Sequence, residues 1–377
     1  FPVGQPDRVS FPYQLWGRLL EREWRRPSWQ GAGALHPFGH SDLRAAIAEY
    51  LGVCRGFACD PGSVVITSGF AQSLSLLAWL TLDPGSEAWI EDPWCSLPRE
   101  ALSSVGVRPV PVPIDEAGFD VSRAVVAAPR ARLAVVAPAH QYPLGAILSP
   151  QRRLELLRWA EQAGGWIAEN DTDSQYRYWG RPLASLRALD RSGRVAYLAG
   201  FSRFLFPALR LSYIVLPDAL VPVAEKRMAR SPAPTGMLGQ GALARFIADG
   251  HLASHLRRTR LLYAARQEAL VDGVRSHLGA WLEVERDPGG MHLVAHPVPS
   301  LRRRFRDTTV VAAAGAAGIA LESLSSCYAG TAQRHGLVMG YAGTPERVIE
   351  ASCATLARVL QHALARAPAA IDCKREV

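Results

Sequence analysis

From Val64 onward the 377-residue chain alternates short β-rich runs with helical ones, and this alternation restricts its fold more than any other feature. Val64-Val-Ile-Thr67 reads as a strand that turns at Ser68-Gly69 into a buried helix over 72–82, closed by Asp83-Pro-Gly. Further strands are predicted at 88–91, 107–112, 131–137, 165–169, 195–199 and 211–216, with helices over 96–105 and 149–164 between them. Strands in alternation with helices need a largely parallel or mixed sheet covered on both faces. Ahead of this region, residues 15–24 have the spacing of a short amphipathic helix. Residues 42–50 have the spacing of a second, with Asp42 as cap or first-turn acid. Residues 235–278 read as long helices. The remainder runs strand, helix, strand, helix to about 365, and the last few residues read as a loose end. The implied organisation is an arm over 1–44, a large α/β domain over 45–278 and a smaller α+β domain over 279–377.

Apolar residues at 49% and charged residues at 20% supply ample core material, and no run of about 18 uncharged apolar residues suggests a membrane span. The formal charge of +8 comes from arginines spread along the whole chain; the densest group, Arg302-Arg303-Arg304 with Arg306, is short. Such a spread reads as a solvated surface rather than a nucleic-acid face. Six cysteines without a CxxC pair or a His/Cys cluster at zinc spacing read as mostly buried thiols of a cytoplasmic protein. Glu169, Asp171 and Asp173 have no histidine at ligand spacing, so no metal is expected.

Several motifs carry a family likeness. They are Leu35-His-Pro-Phe-Gly-His-Ser-Asp-Leu-Arg44, Val65-Ile-Thr-Ser-Gly-Phe-Ala-Gln-Ser-Leu74, Trp89-Ile-Glu-Asp-Pro93 and Pro138-Ala-His-Gln-Tyr-Pro-Leu-Gly145. Two more follow, Asp173-Ser-Gln-Tyr-Arg-Tyr-Trp-Gly-Arg-Pro182 and the segment from Gly200 to Pro217. Together the chain resembles the aminotransferase-like effector domain of the MocR/GabR transcription regulators. The resemblance implies a fold-type-I α/β scaffold, a homodimer, and DNA contact only through a winged-helix domain absent from this chain. A start at Phe1 rather than methionine fits the expectation of such an upstream segment.

Carried over residue by residue, the family's pyridoxal phosphate site changes at its reactive end. The chain has two lysines, Lys226 and Lys374, against 40 arginines, and the cofactor-lysine position is Arg203. A guanidinium stays protonated and cannot form the Schiff base that a deprotonated amine forms. The position of the carboxylate that partners the ring nitrogen is Asn170, and the tyrosine two residues on is Thr172. The ring-stacking aromatic falls on Cys95 or Trp94. Asp171 substitutes poorly for Asn170, because neighbouring side chains on a strand point to opposite faces. On this reading no cofactor is expected, and pyridoxal phosphate is not expected to bind covalently.

The phosphate end keeps its residue types. Ser68, Gly69 and Phe70 sit where a strand becomes a helix, so backbone N–H groups and the helix dipole favour an anion. Ser202 and Arg210 match the family's phosphate contacts, and Arg203 can itself grip a phosphate or carboxylate. The plain alternative is a tight turn at 68–69 and an Arg210 paired with a core carboxylate such as Asp173. His36, His40, His140 and Cys95 are candidates to line the cavity, with Phe38, Phe70 and Tyr142 as aromatic walls.

Two functions follow as expectations. The first is a ligand-sensing effector domain holding an anion-bearing small molecule at Ser68, Gly69, Phe70, Cys95, His140, Tyr142, Asn170, Thr172, Ser202, Arg203 and Arg210. The second is a biosynthetic enzyme that reuses the fold for pyridoxal-independent chemistry with His140, Cys95, Arg203 and Asp171; a scaffold without ligand is the blandest outcome. Arg203→Lys alone is expected to leave transamination at background in a coupled assay, because Asn170 and Thr172 are unchanged; recovered turnover would contradict this assignment.

Overall fold

The computed structural model describes residues 1–25, 37–181, 183–230 and 236–365. Their contacts divide into two compact units. One comprises residues 6–261 and 288–290, the other residues 1–5, 262–287 and 291 onward, so the division falls inside the helix His251–Gly273.

The larger unit is built on eight strands: β1 (Val64–Thr67), β2 (Glu87–Asp92), β3 (Arg108–Asp115), β4 (Gly118–Phe119), β5 (Leu133–Val136), β6 (Trp166–Asn170), β7 (Val195–Gly200) and β8 (Ser212–Val215). They form one mixed sheet in the order β1-β8-β7-β6-β5-β2-β3-β4. The pairs β3/β2, β2/β5, β5/β6 and β6/β7 are parallel. β8 runs antiparallel to both β7 and β1, which returns β1 to the direction of β7. The carboxyl ends of β1, β2, β5, β6 and β7 therefore share one edge. The chain steps from β2 to β3 on one side and comes back to β5 on the other, so a switch point opens beyond β2 and β5, where ligands bind in open α/β sheets.

The central strands are apolar along their whole length because both faces are covered: β1, β5 and β8 are buried at every residue. Trp89 anchors one layer with Val112, Phe119, Leu156 and Ile167, and its indole N–H donates to the Ala128 carbonyl at 3.0 Å. Fully burying each such side chain contributes roughly 1.5–3 kcal/mol. β7 and β8 approach so closely at the edge that a Cβ on Gly200 would stand 2.4 Å from Ser212 Oγ.

The smaller unit carries β9 (Leu282–Glu283), β10 (His292–Pro297), β11 (Glu322–Ser323) and β12 (Leu337–Gly340), an antiparallel sheet ordered β11-β12-β10-β9. Its helices are Asp307–Ala316 and Glu346–Ala365.

The predicted elements recur with shifted ends. The first helix is Tyr13–Arg25, the second Ser41–Arg55, and His40 rather than Asp42 is its cap, accepting from Asp42 N–H at 3.2 Å. The helix after β1 begins directly at Phe70. Sequence periodicity missed β4 and the short helices Val121–Ala127, Leu186–Leu189 and Val221–Met228. The expectation of mostly buried thiols is corrected: of the described cysteines only Cys327 and Cys353 are buried, Cys59 and Cys95 are half-buried and Cys54 is exposed. Burial still pushes the Cys59 and Cys353 thiols up to about 11 and about 12. Cys373, Lys374 and the loose end lie outside the described residues. No helix among the described residues is long and apolar enough to cross a membrane.

Glu91 ties β2 to the segment after β5: its Oε1 accepts from Ala137 N–H at 3.1 Å, while Oε2 makes no hydrogen bond. Burial pushes this carboxyl up to about 8 from an ordinary 4.5, and burial with Asp171 pushes Glu169 up to about 7. The folded state thus holds protons that the unfolded chain releases. This contribution is full below about pH 4.5 and is lost as pH rises toward 8. Thermal unfolding followed across this range should show a falling Tm that Glu91→Gln flattens; an equal fall in the variant would assign the loss to other groups.

Candidate ligand-binding site

The loops at the shared strand edge carry most of the residues singled out from sequence. After β1, Ser68, Gly69 and Phe70 enter the twelve-residue helix Phe70–Thr81. Gly69 adopts extended backbone, a Cβ on it would meet nothing within 4 Å, and no side chain caps the helix it precedes. Ser68 N–H donates to Gln72 Oε1 at 2.6 Å, a contact that fixes the turn and leaves the next N–H groups to meet an anion. Below it, Thr67 and Ser73 join through their hydroxyls at 2.7 Å.

β7 feeds a tight loop through Ser202 and Arg203 to Arg210, just ahead of β8. Phe201 N–H donates to the Leu211 carbonyl at 2.9 Å and closes the loop base, while Phe204 and Leu205 are buried beneath it. His255 Nε2 meets the Phe204 carbonyl at 2.7 Å, and burial pushes this imidazole's pKa down. Arg210 is exposed, and it is the non-glycine residue with positive φ among those described, at 46°. Such backbone costs roughly 1–3 kcal/mol and concentrates at ligand clamps.

Arg203 is held by Asp173: Nη2 donates to Oδ2 at 3.3 Å and Nε lies 3.3 Å from Oδ1. The same carboxylate stands 4.0 Å from His140 Nδ1. The carboxylate pairing expected as the plain alternative for Arg210 is thus made by Arg203. Thr172 Oγ1 donates to Asn170 Oδ1 at 2.5 Å at the end of β6. Asp171 faces away, as alternation on a strand requires: it is fully buried, ion-paired with Arg55 Nε at 2.7 Å and accepting from the Tyr197 hydroxyl. It joins a structural cluster with Glu169, whose oxygens accept the Leu186 and Arg187 N–H groups at 2.8 Å each.

On the β2 side, Trp94 is buried and its ring centroid lies 6.1 Å from Phe70, whereas Cys95 is half-buried. Tyr142 and His140 are buried in the loop after β5. Phe38 is fully buried beneath the Arg44 guanidinium, 5.5 Å from its ring centre, and His40 serves as the helix cap, so both are packing residues. His36 lies outside the described residues. Among the described residues no group of three His, Cys, Asp or Glu side chains is arranged to hold a metal.

Residues 30–334 match the aminotransferase class I and II family. The chain belongs to that family. It is 37% identical over 343 residues to the probable rhizopine catabolism regulatory protein MocR of Rhizobium meliloti, which covers 91% of this chain and 68% of that protein. It is 31% identical over 350 residues to the pyridoxine biosynthesis transcriptional regulator PdxR of Corynebacterium glutamicum, 91% of this chain and 72% of the relative. Among solved structures, LysN, the α-aminoadipate aminotransferase of Thermus thermophilus, superimposes with a TM-score of 0.84 at 24% identity, over 97% of this chain and 92% of LysN. The fold-type-I reading from sequence is correct, and relatives of this chain are HTH-type transcription regulators.

The expectation of no cofactor is corrected by the same comparisons. LysN, which shares this fold, is complexed with N-(5′-phosphopyridoxyl)-L-leucine. The residues here fit that group's phosphate end: the uncapped helix N-terminus at Gly69 and the loop with Ser202 and Arg210 lie on one strand edge. Arg203, which the sequence resemblance sets at the cofactor-lysine position, is gripped by Asp173.

Sequence reasoning missed Arg55 and Tyr197, which no motif joins to Asp171. Arg55→Met strands a buried carboxylate and should cost about 3–5 kcal/mol in urea denaturation. Adding Asp171→Leu to it should recover most of that loss, and a double variant as unstable as the single one would show that the pair is not what fails.

Proposed function

We propose that this chain is the ligand-sensing effector domain of a MocR/GabR-type transcription regulator. Its strand-edge cradle takes a ligand of the phosphopyridoxyl class and holds it without a covalent bond. The observation that carries this reading is the split between the two ends of the site. Ser68, Gly69, Phe70, Ser202 and Arg210 keep the phosphate-binding types around an uncapped helix N-terminus. Residue 203 is an arginine already committed to Asp173. When bound, pyridoxal 5′-phosphate supplies an aldehyde and an electron-accepting ring.

The chain's own residues then divide the work. Backbone N–H groups at the start of the helix Phe70–Thr81, the Ser202 hydroxyl and the Arg210 guanidinium hold the phosphate. Asn170 would offer the ring nitrogen an uncharged amide, where a carboxylate would favour its protonated form. Phe70 and Trp94 supply the apolar wall. A reversibly held ligand suits a sensor, whose occupancy must follow concentration. The relatives named as HTH-type regulators support the regulator reading, to which we add a cytoplasmic homodimer that meets DNA through a segment outside these residues.

Titration calorimetry with pyridoxal 5′-phosphate should give saturable binding that dialysis reverses and borohydride does not fix to the chain. Arg210→Gln should weaken it at least tenfold. Absence of binding, or a borohydride-fixed adduct, would sink the reading.

A further inference from the structure

Away from the phosphate cradle, a cavity of about 470 Å³ in the larger unit carries an excess of guanidinium groups. Its walls come from the last turn of the helix Ser41–Arg55, the loop after β6 and the first turns of the helix His251–Gly273. Arg55, Arg177, Arg257 and Arg260 line it, against the single carboxylate of Asp173, and that carboxylate is already engaged by Arg203 at 3.3 Å. Arg257 and Arg260 stand three residues apart on one helix, so they share a face.

Donors here outnumber acceptors. Arg55 Nη2, Arg177 Nε and Ser174 Oγ are buried atoms that make no hydrogen bond within the chain, although nine-tenths of the Arg55 side chain is buried (8% exposed). Groups of this kind are rarely left without an acceptor. The Gln175 acceptors are committed: its carbonyl takes Arg260 Nε and Nη2 at 3.2 and 3.0 Å, and its Oε1 takes the Tyr50 hydroxyl at 2.7 Å. Asp171 Oδ2 meets Arg55 Nε and the Tyr197 hydroxyl. Among the described residues here, only Asp171 Oδ1 and Asp173 Oδ1 are buried carboxylate oxygens left without a hydrogen bond, against the donors of Arg55, Arg177, Arg203 and Ser174.

The wall is also fixed in place. Gly290 N–H donates to the Tyr176 carbonyl at 2.9 Å and Tyr178 N–H to the Pro288 carbonyl at 2.8 Å, which pins the loop that carries Ser174 and Arg177. A Cβ on Gly290, whose φ is +81°, would fall 2.4 Å from His140 Cε1, so only glycine allows this approach. A rigid pocket of small-molecule size, with guanidinium groups on several walls and donors lacking acceptors, matches an anion with two or more oxygens.

We propose that this arginine-lined cavity is a second anion-binding site, separate from the phosphate cradle, for a small carboxylate or phosphate ligand. The ligand's oxygens accept from Arg55, Arg177 and Ser174, and Arg257 and Arg260 close over its outer side. Because Asp173 lines this cavity and also grips Arg203, occupancy here bears on the loop that carries Arg203.

The test is titration calorimetry of the chain with succinate and, separately, with inorganic phosphate, at ionic strength held constant with sodium chloride. One saturable site for at least one of the two anions is expected. Arg177→Gln with Arg257→Gln, at unchanged circular dichroism, should weaken it at least tenfold, and Arg257→Gln alone, at an exposed helix position, should move it in the same direction. Failure of both anions to saturate, or an isotherm that ignores these substitutions, overturns the proposal. So does loss of the isotherm in Arg210→Gln while the Arg177/Arg257 variant keeps it, because that result puts the anion in the cradle.

Discussion

Strand direction governs everything this chain places near its candidate ligand. β8 runs against both of its neighbours, which turns β1 into the same sense as β2, β5, β6 and β7. With β3, which is parallel to β2, six strands therefore deliver their following loops to one edge. Were β1 reversed, Ser68, Gly69 and Phe70 would lie at the far end of the sheet from Asn170, Ser202 and Arg210. The close approach of Gly200 to Ser212 fixes the β7/β8 register at the point where the Arg203 loop leaves the sheet. The buried Glu91 joins the β2 end to the segment after β5 at the switch point. The site is thus a product of topology first and of side-chain chemistry second.

On the proposed reading, the two ends of the site have separated within that frame. The phosphate end depends on backbone N–H groups and a helix terminus, which tolerate changes elsewhere. The reactive end depends on one amine and one carboxylate, whose positions the resemblance assigns to Arg203 and Asn170. Asp173 gives Arg203 a fixed partner, so the guanidinium is a built part of the loop and not a dangling substitution. Sensing through an unlinked ligand is consistent with such a division, and relatives that are transcription regulators make it biologically coherent.

Much of the fold was legible because the signals were local. Val64-Val-Ile-Thr followed by Ser-Gly marks a strand entering a helix, and with two lysines in the chain the arginine at position 203 is conspicuous by counting. Boundaries were less legible. The helix after β1 starts at Phe70 because Gly69 ends the extended segment without a side-chain cap, which leaves no polar marker to read. β4 is two residues long and carries no period. The unit division inside His251–Gly273 is hidden because a continuous helix shows no change of composition there. Within the site, the reading that Asp171 turns away from Asn170 held because alternation on a strand is a local rule. Its partners Arg55 and Tyr197 come from distant segments and had no signal. The arginine cavity was invisible for the same reason: its guanidinium groups are spread over three segments in a chain rich in arginine throughout. The expectation of no cofactor went too far, because it was read from single positions while the fold itself is shared with a protein that carries a phosphopyridoxyl group.

The most direct measurement is a crystal structure of the chain grown with pyridoxal 5′-phosphate. Phosphate density against the N–H groups of Gly69 and Phe70, with Ser202 and Arg210 closed on it and no continuous density to residue 203, is the predicted result. A phosphate bound elsewhere with the Gly69 edge bare, or a covalent link to the chain, would contradict the division of the site on which this reading rests.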